Sequence, residues 1–312
     1  MDATLQALKA AANELPHIEC SLKEHMKNHT SLRIGGPVRA MFFPGNAAAL
    51  AELSMLLGRY GVSPLILGNG SNILADDKPL DIVAIKTTGL GGIERTGEAE
   101  IMAGSGVPLS KLAVFAYECG LAGLEFAHGI PGTLGGAVIM NAGAYSGEMK
   151  DVVHSTKAFS VETGEYTITG ARHDFSYRHS VFSDTKSVLL SSAIRLRKDE
   201  PEMIKARMED LTARRRARQP LELPSAGSIF KRPGEGYAAE LIERAELKGY
   251  TVGGAQVSAK HSGFIVNLGE ATFTDMTAVI GHVRETVLRQ SGVELELEVK
   301  IVSNTVIANE AY

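Results

Sequence analysis

The segment FAHGIPGTLGGAVIMNAGAYSG, residues 126–147, runs for 22 residues without a formal charge. A helix of about 20 apolar residues can span a bilayer, but this segment holds six glycines, Pro131, Asn141 and His128. In a helix each glycine costs about 1 kcal/mol and a proline about 3. A membrane span and a buried helix are both excluded on that ground, and the sequence predicts coil or short strand. Glycines in such a segment serve positive φ or the close approach of another group to the backbone. Both fold and function turn on what approaches.

On either side of this run, apolar strand patterns alternate with helical ones. Upstream, a helix over residues 46–61 (NAAALAELSMLLGRYG) is followed by strand-like PLILGNGSN, 64–72, and IVAIKT, 82–87. A second unit has a strand and helix over residues 100–120, the glycine run, a hairpin over residues 156–170 (TKAFSVETGEYTITG) and a strand over 187–197. This alternation predicts α/β architecture. A charged helix over residues 199–220, ended by Pro220, then opens a further α+β set reaching residue 302. The expected division is a region of two subdomains, 28–90 and 91–200, preceded by an N-terminal helix, and a second domain over 201–312.

Composition removes several function classes. Lys plus Arg less Asp plus Glu is 32 − 36 = −4 and aromatics are 6%, so no basic, aromatic footprint for nucleic acid is present. Cys20 and Cys119 lie far apart with no paired spacing and read as inert thiols; no metal site is expected. The N-terminus, MDATLQALKAAANEL, lacks a cationic and then apolar signal pattern and reads as a short amphipathic helix. A cytoplasmic protein without membrane insertion is expected.

Three glycine turns stand out. LGNGSN, 67–72, ends an apolar strand with Gly68 and Gly70 alternating with Asn69 and Ser71, followed by Asn72; successive N–H groups in such a turn can hold an anion. The G-x-G-x-x-G of a dinucleotide-binding Rossmann turn is missing, and by itself the motif reads better as a ligand-free turn or hairpin. GSG, 104–106, follows a strand, and the glycine run contributes Gly129, Gly132, Gly135 and Gly136. Tight interdomain packing accounts for those glycines but not for the polar NAGAY. Together the three turns point to a large phosphate-bearing cofactor.

Further along, Arg178 lies in FSYRHS, 175–180, and Ser228 in PSAGSIFKRP, 224–233, ahead of Lys231 and Arg232. The second arrangement places a hydroxyl beside cations suited to an anionic ligand, without the G-x-S-x-G elbow of hydrolases. Arg214, Arg215, Arg216 and Arg218 read as a solvated helix face. ELELEVKIV, 294–302, alternates with period two, putting Glu294, Glu296 and Glu298 on one face of a predicted strand; the pattern does not distinguish among them.

In order, NHTSLRIGGP, LGNGSN, GIPGTLGGAVIMNAGAY, YRHS, AGSIFKRP and LEVKIV, spanning residues 28–302, resemble the UDP-N-acetylenolpyruvoylglucosamine reductase family. The resemblance implies an FAD-binding fold of the vanillyl-alcohol-oxidase type with a C-terminal substrate-binding domain. It also implies noncovalent FAD, NADPH as reductant and a sugar-nucleotide substrate, whose enolpyruvyl ether is reduced to the D-lactyl ether of UDP-N-acetylmuramate for peptidoglycan. By the same resemblance Ser228 is the proton donor, with Ser225 as the alternative, and Arg178 and Glu298 share the active site. Arg33, Gly68, Asn69, Gly70, Ser71, Asn72, Gly104, Gly132, Thr133, Gly135, Gly136 and Asn141 are assigned to the cofactor, which is what approaches the glycines. Tyr145, Tyr177, Arg218, Lys231, Arg232 and Lys300 are assigned to the substrate, with Arg214 a further cation for its pyrophosphate.

Two departures from the family pattern are visible. Lys300 stands where many relatives carry arginine, exchanging a bidentate contact for a point charge. No tyrosine occurs between Ser180 and Pro224, so the chain resembles the shorter subtype that lacks a substrate-covering tyrosine loop. A flavin oxidase of the same fold, acting on alcohols or sugar lactones, would need neither AGSIFKRP nor LEVKIV. A non-catalytic nucleotide-sugar sensor would not need Arg178, Ser228 and Glu298 together. A monomer or weak homo-oligomer is expected.

Overall fold

The computed structural model describes residues 3–307. Helix α1, Ala3–Asn13, buries Leu5, Leu8 and Ala12 against α2, Ala47–Arg59, whose Leu50, Leu53 and Leu57 recur at the helical spacing. Met1 and Asp2 of the expected N-terminal helix lie outside the described residues. The Asn46 side chain accepts the Ala49 N–H at 2.9 Å and caps α2, worth about 1 kcal/mol. These helices cover a four-stranded sheet in the order Ile18–Leu22, Val38–Pro44, Leu80–Lys86, Leu65–Leu67, its last three strands parallel. The strand Leu65–Leu67 therefore delivers residues 68–72 at its C-terminal end.

The second unit is a five-stranded antiparallel sheet ordered Gly164–Thr169, Val153–Ser160, Val188–Arg195, Glu100–Gly104, Ile93–Arg95. The hairpin expected over 156–170 is its outer pair. Helix α3, Leu109–Glu118, packs on this sheet through Leu109, Leu112 and Ala116.

One expectation fails inside the glycine run, where Leu134–Ile139 forms a helix, α4, that buries Leu134, Gly135, Ala137 and Val138. The propensity argument assumed a long helix sustained by its own hydrogen bonds. Here the helix has six residues, and its first N–H groups, which have no intrahelical acceptors, are taken by the GSG turn: Leu134 N–H by Val107 O at 2.8 Å and Gly135 N–H by Ser105 O at 2.8 Å.

Helix α5, Pro201–Arg218, starts on a proline in its first turn, where a missing N–H costs nothing. Its Ile204 and Met208 enter the core of the preceding unit, with Leu112 and Leu121. Beyond it, helices α6, Ala238–Arg244, and α7, Phe273–Ser291, pack on a four-stranded sheet in the order Ser225–Ser228, Phe264–Asn267, Ala255–Val257, Thr251–Val252. A Thr272/Asp275 capping box opens α7, and Gly292, at φ 71°, ends it. Leu32, Ile34 and Leu74 of the first unit complete this C-terminal core, and Asn267 Nδ2 donates to Leu32 O at 2.9 Å. Side chains from both ends of the sequence thus close one hydrophobic layer.

The period-two expectation for 294–302 also needs correction. Only Lys300–Val302 is a strand, parallel to Ile73–Ala75. Residues 296–298 are held by residues 229–231: Glu298 N–H donates to Ile229 O at 2.8 Å, and Lys231 N–H to Glu296 O at 2.8 Å. Glu294 and Glu296 face solvent, whereas Glu298 turns inward, so the three carboxylates do not share one polar face.

Candidate active site

Residues 68–72 and 129–136 lie against each other. A Cβ on Gly68 would stand 2.2 Å from Thr133 Oγ1, and one on Gly70, whose φ is +60°, would stand 2.1 Å from His29 O. These glycines are approached first by the protein itself. Asn69 Nδ2 donates to Pro131 O at 3.0 Å, and Ser31 N–H to Gly70 O at 3.1 Å. What remains is a cradle of unused donors: none of the backbone N–H groups of residues 69–72 finds a protein acceptor among the described residues. Successive free N–H groups of this kind attract an anion. Against Gly135 of the adjoining helix, Ser105 Oγ is buried without a hydrogen-bond partner among the described residues, which is unfavourable unless a further group meets it.

The other cofactor assignments sit around this cradle unevenly. Thr133 stands at the N-terminal boundary of α4 without a side-chain capping bond and is buried, with Gly135 against Ser105 and Gly132 facing Ser71 Oγ. Gly136 is exposed with no tight neighbour, and Arg33 is exposed on the loop bracing residue 70. Gly104 lines a cleft of ≈ 430 Å³ with Asn46, Gly91, Ile93 and Met102. Asn72 and Asn141 spend their side chains on the protein. Asn72 Nδ2 donates to Glu298 O at 3.0 Å, while its backbone carbonyl accepts Lys300 N–H at 3.0 Å; Asn141 is buried, its side chain bonded to Glu148, Ser176 and Lys150.

The cradle is thereby tied to a second cluster. Arg178 Nε donates to Glu298 Oε1 at 2.7 Å, with both side chains largely shielded, 23% and 15% exposed. Tyr177 OH interacts with Glu298 and accepts Arg232 N–H at 3.0 Å. Lys231 Nζ lies 3.3 Å from Glu296, and the Arg232 guanidinium stacks on Tyr237 at 4.6 Å. Ser228 immediately precedes Ile229, whose carbonyl accepts the Glu298 N–H, and ends a strand whose register shifts across Ala226 and Gly227, where Gly227 has φ 75°. Among the described residues its hydroxyl has only a long 3.4 Å bond to Phe230 O. Bonds along residues 72, 229 and 298 thus set the Arg178–Glu298 pair beside the cradle and one residue from Ser228 in the chain segment it meets.

Burial raises the Glu298 carboxyl above the ordinary carboxylate range, against the opposing pull of Arg178, Lys231 and the Tyr177 hydroxyl. A carboxyl raised in the folded state keeps its proton to higher pH than the unfolded chain does. Its contribution is therefore most favourable below the unfolded pKa and declines as pH rises through the window from about 4.3 to the folded value. Glu298→Gln should flatten that part of the stability-against-pH curve, measured by urea midpoints in a series of buffers. An unchanged slope would show that folding leaves this carboxyl's pKa where the unfolded chain has it.

The arginine cluster divides. Arg214 pairs with Asp210 on the helix surface, and Arg218 is exposed. Arg215 instead turns inward: its Nη1 donates to Gly129 O at 2.6 Å, and its guanidinium lies 5.7 Å from the Tyr145 ring. Burial works against its charge, the Tyr145 hydroxyl supports it, and no acidic partner is found among the described residues. Reading α5 as a solvated face missed Arg215. The signal was available, because the buried face through Ile204, Met208 and Leu211 reaches residue 215 at the next helical step. Tyr145 itself is exposed on a turn of two left-handed residues, Tyr145 at φ 51° and Ser146 at φ 72°. Lys300 is exposed and is joined to the cradle through its N–H.

Residues 38–170 match the FAD-binding domain model, and residues 219–302 match that of the UDP-N-acetylenolpyruvoylglucosamine reductase C-terminal domain. A UDP-N-acetylenolpyruvoylglucosamine reductase from Caldanaerobacter subterraneus subsp. tengcongensis is 45% identical over 281 residues, covering 90% of this chain and 93% of that protein. The chain belongs to the UDP-N-acetylenolpyruvoylglucosamine reductase family. A Pediococcus pentosaceus reductase is 41% identical over 94% of this chain and 98% of its own length. The crystal structure of the Thermus caldophilus reductase superposes with a TM-score of 0.78 at 30% identity, covering 91% of this chain and 98% of that one. The architecture is thus the FAD-binding fold expected from the sequence, followed by the reductase family's own C-terminal domain. The residues present fit FAD: the free N–H groups of residues 69–72 suit its pyrophosphate, and the unpartnered Ser105 hydroxyl at the start of α4 is a buried polar group that a bound molecule would satisfy.

Proposed function

We infer that the chain is an FAD- and NADPH-dependent reductase that converts UDP-N-acetylglucosamine enolpyruvate to UDP-N-acetylmuramate, a step of peptidoglycan precursor synthesis. The observation that carries this reading is the Arg178–Glu298 pair held beside both the anion cradle and the Ser228 turn. FAD, held by the N–H groups of residues 69–72, would supply the hydride, drawn from NADPH, for the terminal enol carbon of the substrate. Hydride addition leaves negative charge on an enolate conjugated to the substrate carboxylate. Among the described residues the terminal nitrogens of Arg178 donate to no protein acceptor, and a guanidinium with both terminal nitrogens free suits that charge. Ser228 then delivers a proton to the adjacent carbon, completing the saturated lactyl ether. Glu298, fixed by Arg178 and Tyr177, sets the orientation of the arginine and holds negative charge near the serine.

Lys231, Arg232, Arg218 and Lys300 supply positive charge for the pyrophosphate of the sugar nucleotide, and Tyr145 and Tyr177 border its site. The reaction takes place in the cytoplasm and involves a monomer or a weakly associated homo-oligomer. No helix among the described residues is long and apolar enough to cross a membrane.

Purified protein should be yellow, its visible absorbance bleached by NADPH under anaerobic conditions and restored by the enolpyruvyl nucleotide. Oxygen consumption with alcohols or sugar lactones, and no response to the enolpyruvyl nucleotide, would replace this reading with that of an oxidase.

A further inference from the structure

We propose that Asn141 is the positioning residue for Arg178, acting through Ser176 rather than as a ligand of the cofactor. This rests on the reading above, in which Arg178 meets charge on the substrate.

Arg178 is presented by a tight turn. Ser176 N–H donates to His179 O at 3.1 Å and His179 N–H to Ser176 O at 3.3 Å, leaving Tyr177 and Arg178 as the two turn residues. Arg178 has φ 57°, a left-handed conformation that is unfavourable for a non-glycine residue. Such a turn persists when its surroundings over-determine it. The fastenings come from the C-terminal end of α4: Ser180 Oγ and Ser183 Oγ both donate to Ile139 O, at 2.9 and 3.0 Å, and Asn141 Nδ2 donates to Ser176 O at 3.0 Å. The Ser176 carbonyl therefore receives one bond within the turn and one from Asn141.

The residue type at position 141 points the same way. Asn141 N–H donates to Val138 O and Ala142 N–H to Ala137 O, the bonding of a Schellman helix end in which position 141 takes the left-handed conformation, φ 41°. Glycine usually occupies that place, and this segment is rich in glycine. An asparagine there is explained by its side chain. Asn141 is 1% exposed; besides its bond to Ser176, Nδ2 donates to Glu148 Oε2, and Oδ1 accepts Lys150 N–H at 2.9 Å. Both amide hydrogens are spent on the protein, so no donor is left for a bound cofactor.

The opposite end of α4 is bonded to the GSG turn and touches Gly68. Six residues of helix, about 9 Å, thus set the distance from the cradle to the Arg178 turn, with Asn141 as the last link. A misplacement of about 1 Å at a reacting centre is enough for a rate loss near 100-fold.

Asn141→Gly is the informative variant, because glycine suits the backbone and removes only the side chain. FAD affinity, read by flavin fluorescence, should stay within about 3-fold. Amide exchange should quicken in residues 175–184 and stay unchanged in 68–72. In stopped flow, flavin reoxidation by the enolpyruvyl nucleotide should slow by about 10- to 100-fold, in kcat more than in KM, and Asn141→Gly/Arg178→Ala should be no slower than Arg178→Ala alone. Loss of FAD affinity beyond about 10-fold, unchanged exchange in 175–184, or additive rate losses would each overturn the assignment. If Asn141→Gly does not fold, Asn141→Asp, which keeps the acceptor for Lys150 N–H and loses the donor to Ser176, is measured in the same way; failure of both to fold would make Asn141 a residue of the fold at large and end the proposal. The two levels separate cleanly. A native rate in Arg178→Ala sinks the functional reading itself, whereas a crippled Arg178→Ala beside a native Asn141→Gly sinks only the positioning role.

Discussion

Ser228→Ala is expected to split the reaction into an intact half and a damaged one. Reduction of the bound flavin by NADPH requires no proton on the sugar nucleotide and should proceed near the native rate. Reoxidation by the enolpyruvyl nucleotide loses its proton donor and should slow by the roughly 10²- to 10⁴-fold typical of general acid catalysis. The Ser228 hydroxyl makes only a 3.4 Å bond to Phe230 O, so its removal leaves the turn and the Arg178–Glu298 pair in place. The deficit should appear in kcat more than in KM. Ser225→Ala is the control: the Ser225 carbonyl accepts from Ser31 Oγ at 2.6 Å, a backbone contact that the substitution preserves. Stopped-flow absorbance decides the matter. Unimpaired reoxidation in Ser228→Ala, or a crippled Ser225→Ala, would move the proton donor elsewhere.

The second large effect is expected at the cradle. Gly70→Val would place a β-branched residue at φ +60° and a Cβ 2.1 Å from His29 O. Both the left-handed backbone and the backbone clash oppose it, and neither is relieved by moving a flexible side chain. The segment from Gly68 to Asn72 must shift, and its free N–H groups shift with it. A strain of about 1–3 kcal/mol spent against the bound cofactor corresponds to about 5- to 150-fold weaker FAD binding, visible as colourless protein after dialysis. Full occupancy in Gly70→Val would show that these N–H groups do not hold the pyrophosphate.

Much of the site was legible because its parts are local. LGNGSN follows a short parallel strand, and alternating glycines at a strand end announce a turn with free donors whatever surrounds it. YRHS, AGSIFKRP and LEVKIV are short motifs whose order and residue types carried the family resemblance. Arg215 was hidden within a run of like residues, although the spacing of Ile204, Met208 and Leu211 led to it. Helix α4 was hidden because single-residue propensities omit the Val107 and Ser105 carbonyls that take its first N–H groups. Glu298 was indistinguishable from Glu294 and Glu296 by alternation, since the bond from Asn72 and the pairing with Ile229 that turn it inward come from residues far away in sequence.

By itself the sequence determined the alternation of strands and helices, the glycine turns, and the family to which their order belongs. These follow from side-chain periodicity and backbone permissiveness, properties of neighbouring residues. Only the tertiary structure decided which atoms approach the glycines, which arginine of the cluster turns inward, and that Asn141 braces the Arg178 turn. Those outcomes depend on hydrogen bonds and burial between segments separated by tens to hundreds of residues, such as Asn141 to Ser176, Arg215 to Gly129 and Asn72 to Glu298. A buried amide or guanidinium takes whichever partner the fold brings within reach, because leaving it unsatisfied costs more than any local preference.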